Sequence, residues 1–261
     1  MPGLRREEVA TLAGVSVDYY NRLERGNLAG VSDSVLEAVG RALQLDEAEV
    51  TYLYDLARAA NPTPRTRRPT RRPGIRPSVQ RVLAGMSEVP AIVRNGRLDI
   101  LAASRLGYAL YSMVYEDPSR GNLARFAFLD PRAHDYYPDW DGAANVAVAL
   151  MRTEAGRVPH DRGLSDLVGE LSTRSEDFRV RWAAHNVRLH QSGTKQFHHP
   201  AVGDLTLAYD VMDLSADPGL SVTAYTAEPG SPSEDGLKLL ASWAATLDQT
   251  PEQARTGGTA V

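Results

Sequence analysis

Apolar positions in the first part of the chain recur every three or four residues, the spacing of one buried helix face. Four such segments lie within residues 1–60 and predict a small all-α domain. Ser34 with Glu37 fits a capping box for the third helix. Asp46 with Glu49 marks the capped start of the fourth helix in the same way.

The second part of the chain alternates apolar and polar residues with the period of two that strands show. Two apolar runs flank Asn95-Gly96, a pair that predicts a hairpin with a type I′ turn. Three further strands are predicted, over residues 194–199, 205–211 and 220–226. Helices separate the two groups, and a last helix spans about Ser233 to Leu247. This order is that of a PAS-like domain, an antiparallel sheet with helices on one face that often encloses a small-molecule cavity.

A helix-turn-helix pattern stands near the start, where residues 6–26 read REEVATLAGVSVDYYNRLERG. Ala10 is small where two helices would cross. Gly14 supplies the positive φ of the turn, and Ser16 caps the second helix. The second helix would then lie in a DNA major groove.

Charge is distributed unevenly along the chain. Residues 61–78 hold six arginines and no acidic residue, although the whole chain carries a net charge of −4. The many prolines of this segment exclude a helix, and its arginines repel one another, so we predict an extended linker. The arginines either track DNA phosphates or only form a solubilising hinge.

Several kinds of chemistry are excluded by what the sequence lacks. It has no cysteine, no Gly-rich phosphate loop, no nucleophile elbow and no HExxH motif. The adjacent His198 and His199 would point to opposite faces of a strand, which disfavours a zinc site. We therefore predict no enzyme, no metal and no cofactor. No apolar run spans a membrane and no signal peptide opens the chain, so we expect a cytoplasmic, nucleoid-associated protein.

Five segments of the chain together resemble the MmyB-like transcription regulators, XRE-class helix-turn-helix proteins with a PAS-like ligand-binding domain. The segments are residues 2–26, 122–140, 175–182, 199–211 and 225–240. The resemblance implies a bacterial homodimer that binds double-stranded DNA. It also implies control by a small ligand that is apolar or fatty-acid-like.

The predicted fold class is α+β, with four parts in order along the chain. They are an XRE-type helix-turn-helix domain over 1–60, a Pro/Arg linker over 61–78, a PAS-like domain with an antiparallel sheet over 79–247, and a disordered tail over 248–261. An XRE-type domain usually has five helices, and the first would precede Pro2. The alternative function is therefore a sensor or protein-interaction module whose DNA binding is impaired because that helix is absent.

The second helix of the motif carries the candidate base contacts. Its spacing turns Val17, Asp18 and Arg22 outward, and Tyr20 and Leu23 inward. Arg22 suits a bidentate contact with guanine, and Val17 suits a thymine methyl group. Asp18 either accepts from cytosine N4 or only stabilises the helix N-terminus.

Residues around that helix are candidates for phosphate contacts. Arg5 and Arg25 either contact phosphates or pair with neighbouring glutamates, and Ser32 and Ser34 either anchor phosphates or only cap their helix. Tyr19 either reaches a phosphate or packs on the surface. The predicted DNA-binding residues are Arg5, Ser16, Val17, Asp18, Tyr19, Arg22, Arg25, Ser32 and Ser34.

Ten aromatic residues between positions 108 and 182 form an aromatic-rich layer of the second domain. Such a layer is either plain core or the wall of a ligand cavity, and the resemblance favours the cavity. Trp182, Asn186 and His199 are the candidates for fixing a ligand headgroup. The predicted ligand-binding residues are Tyr111, Phe126, Trp140, Trp182, Asn186 and His199.

Overall fold

The structure is a computed structural model that describes residues 4–28, 30–60, 74–115, 121–184 and 191–256. Most of the predicted Pro/Arg linker, residues 61–73, lies outside these ranges. The last three residues before Pro77 are described: Ile75 is buried, and the Arg76 guanidinium pairs with Asp217 at 2.6 Å.

Four helices form the N-terminal domain, as predicted, and we label them in chain order. They are α1 (Arg6–Leu12), α2 (Val17–Glu24), α3 (Asp33–Ala42) and α4 (Glu47–Ala60). Gly14 has a φ of 67°, which confirms the left-handed turn between α1 and α2. Asp46 and Glu49 exchange backbone-to-carboxylate hydrogen bonds of 2.9 and 2.8 Å, which confirms the capping box of α4.

The predicted capping box at the start of α3 is wrong. The helix begins earlier, with Ser32 as its N-cap, and the Ser32 hydroxyl accepts from the Val35 N–H at 3.4 Å. Ser34 therefore lies inside the first turn, and Glu37 pairs with Arg41 instead of reaching back. Both serine hydroxyls remain exposed, with their Oγ atoms 2.9 Å apart.

The C-terminal domain combines five strands with nine helices in the described part of the chain. The helices are α5 (Pro77–Gly85), α6 (Arg105–Leu110), α7 (Ser112–Tyr115), α8 (Leu123–Leu129), α9 (Ala133–Tyr136), α10 (Trp140–Arg157), α11 (Arg162–Arg174), α12 (Glu176–Ala183) and α13 (Pro232–Thr256). The strands are β1 (Ala91–Asn95), β2 (Ile100–Ala103), β3 (Ser192–His199), β4 (Gly203–Asp213) and β5 (Leu220–Thr226). The sheet order is β2-β1-β5-β4-β3, with every neighbouring pair antiparallel, which confirms the α+β class.

The main core lies on one face of this sheet. Leu205, Leu207 and Tyr209 alternate along β4 toward that face, where they meet residues of α6, α9 and α13. The opposite face is also partly covered, because Val79 and Leu83 of α5 pack against β1 and β5. Every residue of β1 is consequently buried, whereas a one-sided sheet would leave alternate residues exposed.

The β1–β2 hairpin forms as predicted, but its turn is not type I′. The positive φ of 66° falls on Leu98 instead of the Asn95-Gly96 pair, and the Asn95 side-chain oxygen accepts hydrogen bonds from two backbone N–H groups of the turn. Gly96 has a different reason to be glycine. A Cβ at this position would lie 2.2 Å from Cδ of Glu154 on α10.

The last helix is longer than the sequence pattern indicated. The predicted end was Leu247, yet α13 continues to Thr256. The helix thus includes the first part of the segment predicted as a disordered tail, and residues 257–261 lie outside the described ranges. Neither α13 nor any other helix of the described chain is long and apolar enough to cross a membrane.

Candidate DNA-binding helix and ligand cavity

Helix α2 presents two different faces. Val17, Asp18 and Arg22 are exposed, whereas Tyr20 is buried and Leu23 is partly buried against the other helices of the domain. This arrangement confirms the predicted inward and outward positions. The outward face is a ridge of side chains free to enter a groove of DNA.

Ser16 caps α2, because its hydroxyl accepts from the Tyr19 N–H at 3.2 Å. We expect Ser16→Ala to lower the free energy of unfolding by about 1 kcal/mol, since the N–H loses its partner. Urea denaturation followed by circular dichroism measures this change. Ser87→Ala is the control, because Ser87 is exposed and caps no described helix. Equal losses in both variants would contradict a capping role.

Arg22 lies beside an aromatic ring. Its guanidinium carbon is 5.3 Å from the centroid of the Tyr19 ring, a cation–π distance, and Tyr19 is itself half-buried. Within the described residues, the Arg22 side chain forms no ion pair. Its positive charge is therefore available to a ligand outside the chain.

The two other candidate arginines of this domain are also exposed. Arg6, not Arg5 or Arg25, pairs with Glu24, at 2.5 Å. The carboxylate of Glu8 accepts from the backbone N–H of Arg5 at 2.6 Å. The alternative ion pairs predicted for Arg5 and Arg25 are thus not formed among the residues that the structure describes.

A cavity lies in the second domain between the inward face of the sheet and α10. It consists of two adjoining pockets of about 40 and about 400 Å³, which share Tyr137, Ala143, Val146 and Lys195 and which we call the inner and the outer compartment. The sheet lines the inner compartment with Ile92, Arg94, Lys195, Thr223 and Tyr225. Helix α10 lines it with Ala143, Val146, Ala147 and Leu150. The left-handed Leu98, which is only 2% exposed, closes the wall beside them.

Two cations face the inner compartment. Lys195 is half-buried, with its Nζ 4.3 Å from the centroid of the Tyr137 ring, and Arg94 is 8% exposed. Neither forms an ion pair within the described ranges. Burial, and then the nearby charge of Arg94, lowers the pKa of Lys195 to about 7. Burial likewise lowers the pKa of Arg94.

A third polar group lines the same compartment. The Thr223 hydroxyl is buried and has no hydrogen-bond partner in the described structure. Buried polar groups are nearly always hydrogen-bonded in folded proteins. The inner compartment therefore combines one unsatisfied hydroxyl with two cations that form no ion pair among the described residues.

Sequence reasoning missed Arg94, Lys195 and Thr223. The signal that finds Lys195 is the strand period, which places it on the same face as the buried Phe197 and His199. Composition is a second signal, because only two of the 29 basic residues are lysine.

The structure does not bring the predicted Tyr111 and Phe126 to this cavity. Tyr111 is fully buried in the main core, with its hydroxyl 2.5 Å from that of Tyr225. Phe126 packs edge-on against Tyr136 and Tyr137. Both stand behind the cavity wall, so the aromatic layer is mainly core.

The two predicted tryptophans also make internal contacts instead of lining the cavity. The Trp140 indole N–H donates to the Ala127 carbonyl at 2.8 Å. Trp182 stacks on Phe178 with centroids 5.6 Å apart. Asn186 lies outside the described residues.

His199 is buried, and both its ring nitrogens are used. Nε2 lies 3.0 Å from the Ala109 carbonyl, and Nδ1 accepts from the Ala201 N–H at 3.2 Å. His199 is therefore neutral and donates through Nε2, so no nitrogen remains for a headgroup. His198 is exposed and contacts Asp204, which confirms that the adjacent histidines point to opposite faces.

Two family models match the chain. A family described as the MmyB-like transcription regulator ligand binding domain matches residues 75–240, which is more than half of the chain, and a helix-turn-helix domain matches residues 2–53. Both families are regulatory and not enzymatic. A search of the curated proteins finds no match. The chain therefore belongs to the MmyB-like transcription regulators, and it is a DNA-binding regulator with a ligand-binding domain.

Proposed function

We propose that an amphipathic, fatty-acid-like anion in the cavity changes how this regulator holds DNA. Residues 1–60 bind DNA with help from the arginines of the linker, and residues 79–247 hold the ligand. A homodimer presents two DNA-binding heads at the nucleoid, and the ligand alters their relative placement. The protein acts by binding and not by turnover.

The observation that carries the ligand class is the pair of cations that form no ion pair among the described residues, with Asp213 and Glu154 acting on Arg94 only from beyond ion-pair distance. Leaving Lys195 and Arg94 charged in a partly desolvated wall is costly, and a ligand carboxylate would offset that cost. The Thr223 hydroxyl would add a hydrogen bond to the same headgroup. A neutral, purely apolar ligand would satisfy none of the three groups.

The outer compartment suits the hydrocarbon part of such a ligand. Its volume of about 400 Å³ lies within the range of small-molecule pockets, roughly 300–1,000 Å³. Ala143 and Val146 on α10 and the rings of Tyr137 and Tyr209 offer apolar contact on one side, while Asp139, Thr194 and Gln196 line the rest. The headgroup would stand in the inner compartment, where about 40 Å³ is enough for a carboxylate but not for a chain.

The DNA side of the proposal rests on the exposed face of α2. Arg22, Val17 and Asp18 are exposed on that face, and the Ser16 cap fixes its first turn. We propose that these residues face base edges, with Arg22 on guanine. Tyr19, Arg5, Arg25, Ser32 and Ser34 would hold the flanking phosphates.

Native mass spectrometry of the full chain tests the proposal, with dodecanoate and the neutral dodecanol as probes. We expect a dimer that takes up one dodecanoate per subunit and little dodecanol. Equal uptake of both probes would show that the cavity does not recognise the carboxylate headgroup. Failure of dodecanoate to bind would rule out the fatty-acid-like ligand.

The affinity for dodecanoate should depend on pH. Lys195 has a pKa of about 7 in the free protein, and a bound carboxylate raises that pKa. Affinity is therefore greatest below pH 7 and falls by up to about tenfold per pH unit above it, until the pKa of the complex is reached. Calorimetry from pH 6 to pH 9 measures this decline. Lys195→Arg keeps the charge and should flatten the profile, and a decline that persists in this variant would exclude Lys195 as its source.

A further inference from the structure

Helix α10 touches both functional parts of the protein. Its middle turns line the cavity, and its C-terminal end packs against α4 of the DNA-binding domain. The half-buried ring of Tyr52 lies directly on Gly156 at this end. A Cβ at position 156 would stand 2.3 Å from Cε2 and 2.7 Å from Cδ2 of that ring.

The path from the cavity to this contact is short and unbroken. Leu150 lines the inner compartment, and Gly156 lies six positions further along the same continuous 18-residue helix. At 1.5 Å per residue the separation is about 9 Å. A continuous helix moves as a rigid element over such a distance.

The last turn of α10 is also tied to the sheet. Glu154 and Arg157 pair with each other at 2.6 Å. The Glu154 carboxyl fills the space beside Gly96, and the Arg157 guanidinium fills the space beside Gly219. These contacts connect the last turn of α10 to two turns of the sheet, so a movement of the helix against the sheet also reaches the turn that carries Gly156.

We propose that α10 couples the cavity to the DNA-binding domain, with the Tyr52–Gly156 contact as the joint that passes its movement to α4. The proposal rests on the proposed function in taking this cavity as the regulatory site. Occupying the outer compartment changes the separation between α10 and the sheet. Because close-packed contacts shift between discrete arrangements instead of stretching, α4 has to follow.

A double-mutant cycle tests the coupling without any ligand. Val146→Trp fills the outer compartment from the half-buried face of α10, and Ala143→Phe is a second filler. Hydrogen–deuterium exchange of peptides over residues 47–60 of the full chain reports on α4. We expect either filler to change that exchange by about fivefold or more, the lower end of typical allosteric coupling.

The joint is tested by repeating the fillers in three backgrounds. Gly156→Ala forces the ring away and Tyr52→Ala removes it, and in both backgrounds the α4 response should be lost. Gly169→Ala is the matched control, because a Cβ at this helical glycine meets nothing within 4 Å. The response should survive there.

Two outcomes would overturn the coupling. The first is that the fillers change hydrogen–deuterium exchange in peptides of the cavity wall but not in α4. The second is that the fillers change exchange in α4 equally in all three backgrounds. Adding dodecanoate to the same samples tests the proposed ligand separately. If dodecanoate has no effect while the fillers act through Gly156, the ligand class fails and the coupling stands.

Discussion

Replacing Lys195 with methionine should weaken dodecanoate binding by about 10- to 150-fold, the loss expected for one charged hydrogen bond of roughly 1.5–3 kcal/mol. Methionine has a similar length and removes a cation that has no acidic partner within the described residues, so the fold should tolerate it. Arg94 would remain, which is why binding should weaken instead of vanishing. Isothermal titration calorimetry at pH 6.5, where Lys195 is largely protonated, measures the effect.

The chain offers a matched control in its only other lysine. Lys238 is exposed on α13, pairs with Glu234 and Asp235, and does not line the cavity. Lys238→Met should leave dodecanoate affinity unchanged, and dodecanol should bind the wild type and Lys195→Met alike. A similar loss of dodecanoate in both variants, or no loss in either, would refute the headgroup site.

Arg22→Ala should lower the affinity for the specific operator by about 5- to 150-fold, while binding to unrelated DNA changes far less. The reason is that a bidentate arginine–guanine contact contributes roughly 1–3 kcal/mol of discrimination. Arg22 is exposed on α2 and forms no ion pair within the described chain, so its removal leaves no buried charge behind. Fluorescence anisotropy measures both affinities on a duplex selected from a random library and on its scrambled version.

Arg41→Ala provides the comparison for this experiment. Arg41 is also exposed but lies near the end of α3 and pairs with Glu37 at 2.9 Å. The Arg41→Ala substitution should change the affinity for either duplex by no more than about twofold. Equal losses on both duplexes with Arg22→Ala would place Arg22 among the phosphate contacts instead.

Much of the fold follows from local patterns. The buried alternation of Leu205, Leu207 and Tyr209 on β4 is visible in the sequence, and so are the capping residues Ser16 and Asp46. Tertiary packing decides what these patterns cannot. The partial cover of the second sheet face by α5 and the left-handed Leu98 in the hairpin both depend on residues distant in the chain.

The two halves of the candidate site differ in how far the sequence predicts them. The face of α2 follows from helix geometry alone, since Tyr20 has to point inward and Arg22 outward. The cavity does not, because aromatic residues serve a core and a pocket equally well. Tyr111 and Phe126 fill the core, and the strand period puts Lys195 on the buried face, but only the assembled sheet brings Lys195 together with Arg94 and Thr223.

Leu98 lowers the stability of the turn but closes the wall of the ligand cavity. A leucine with a φ of 66° is strained, and glycine or asparagine there would relax the backbone. The same side chain is 2% exposed and closes the inner compartment, so relaxing the turn would open a breach beside the headgroup. A variant stabilised against heat by relaxing this strained turn would therefore bind the ligand more weakly.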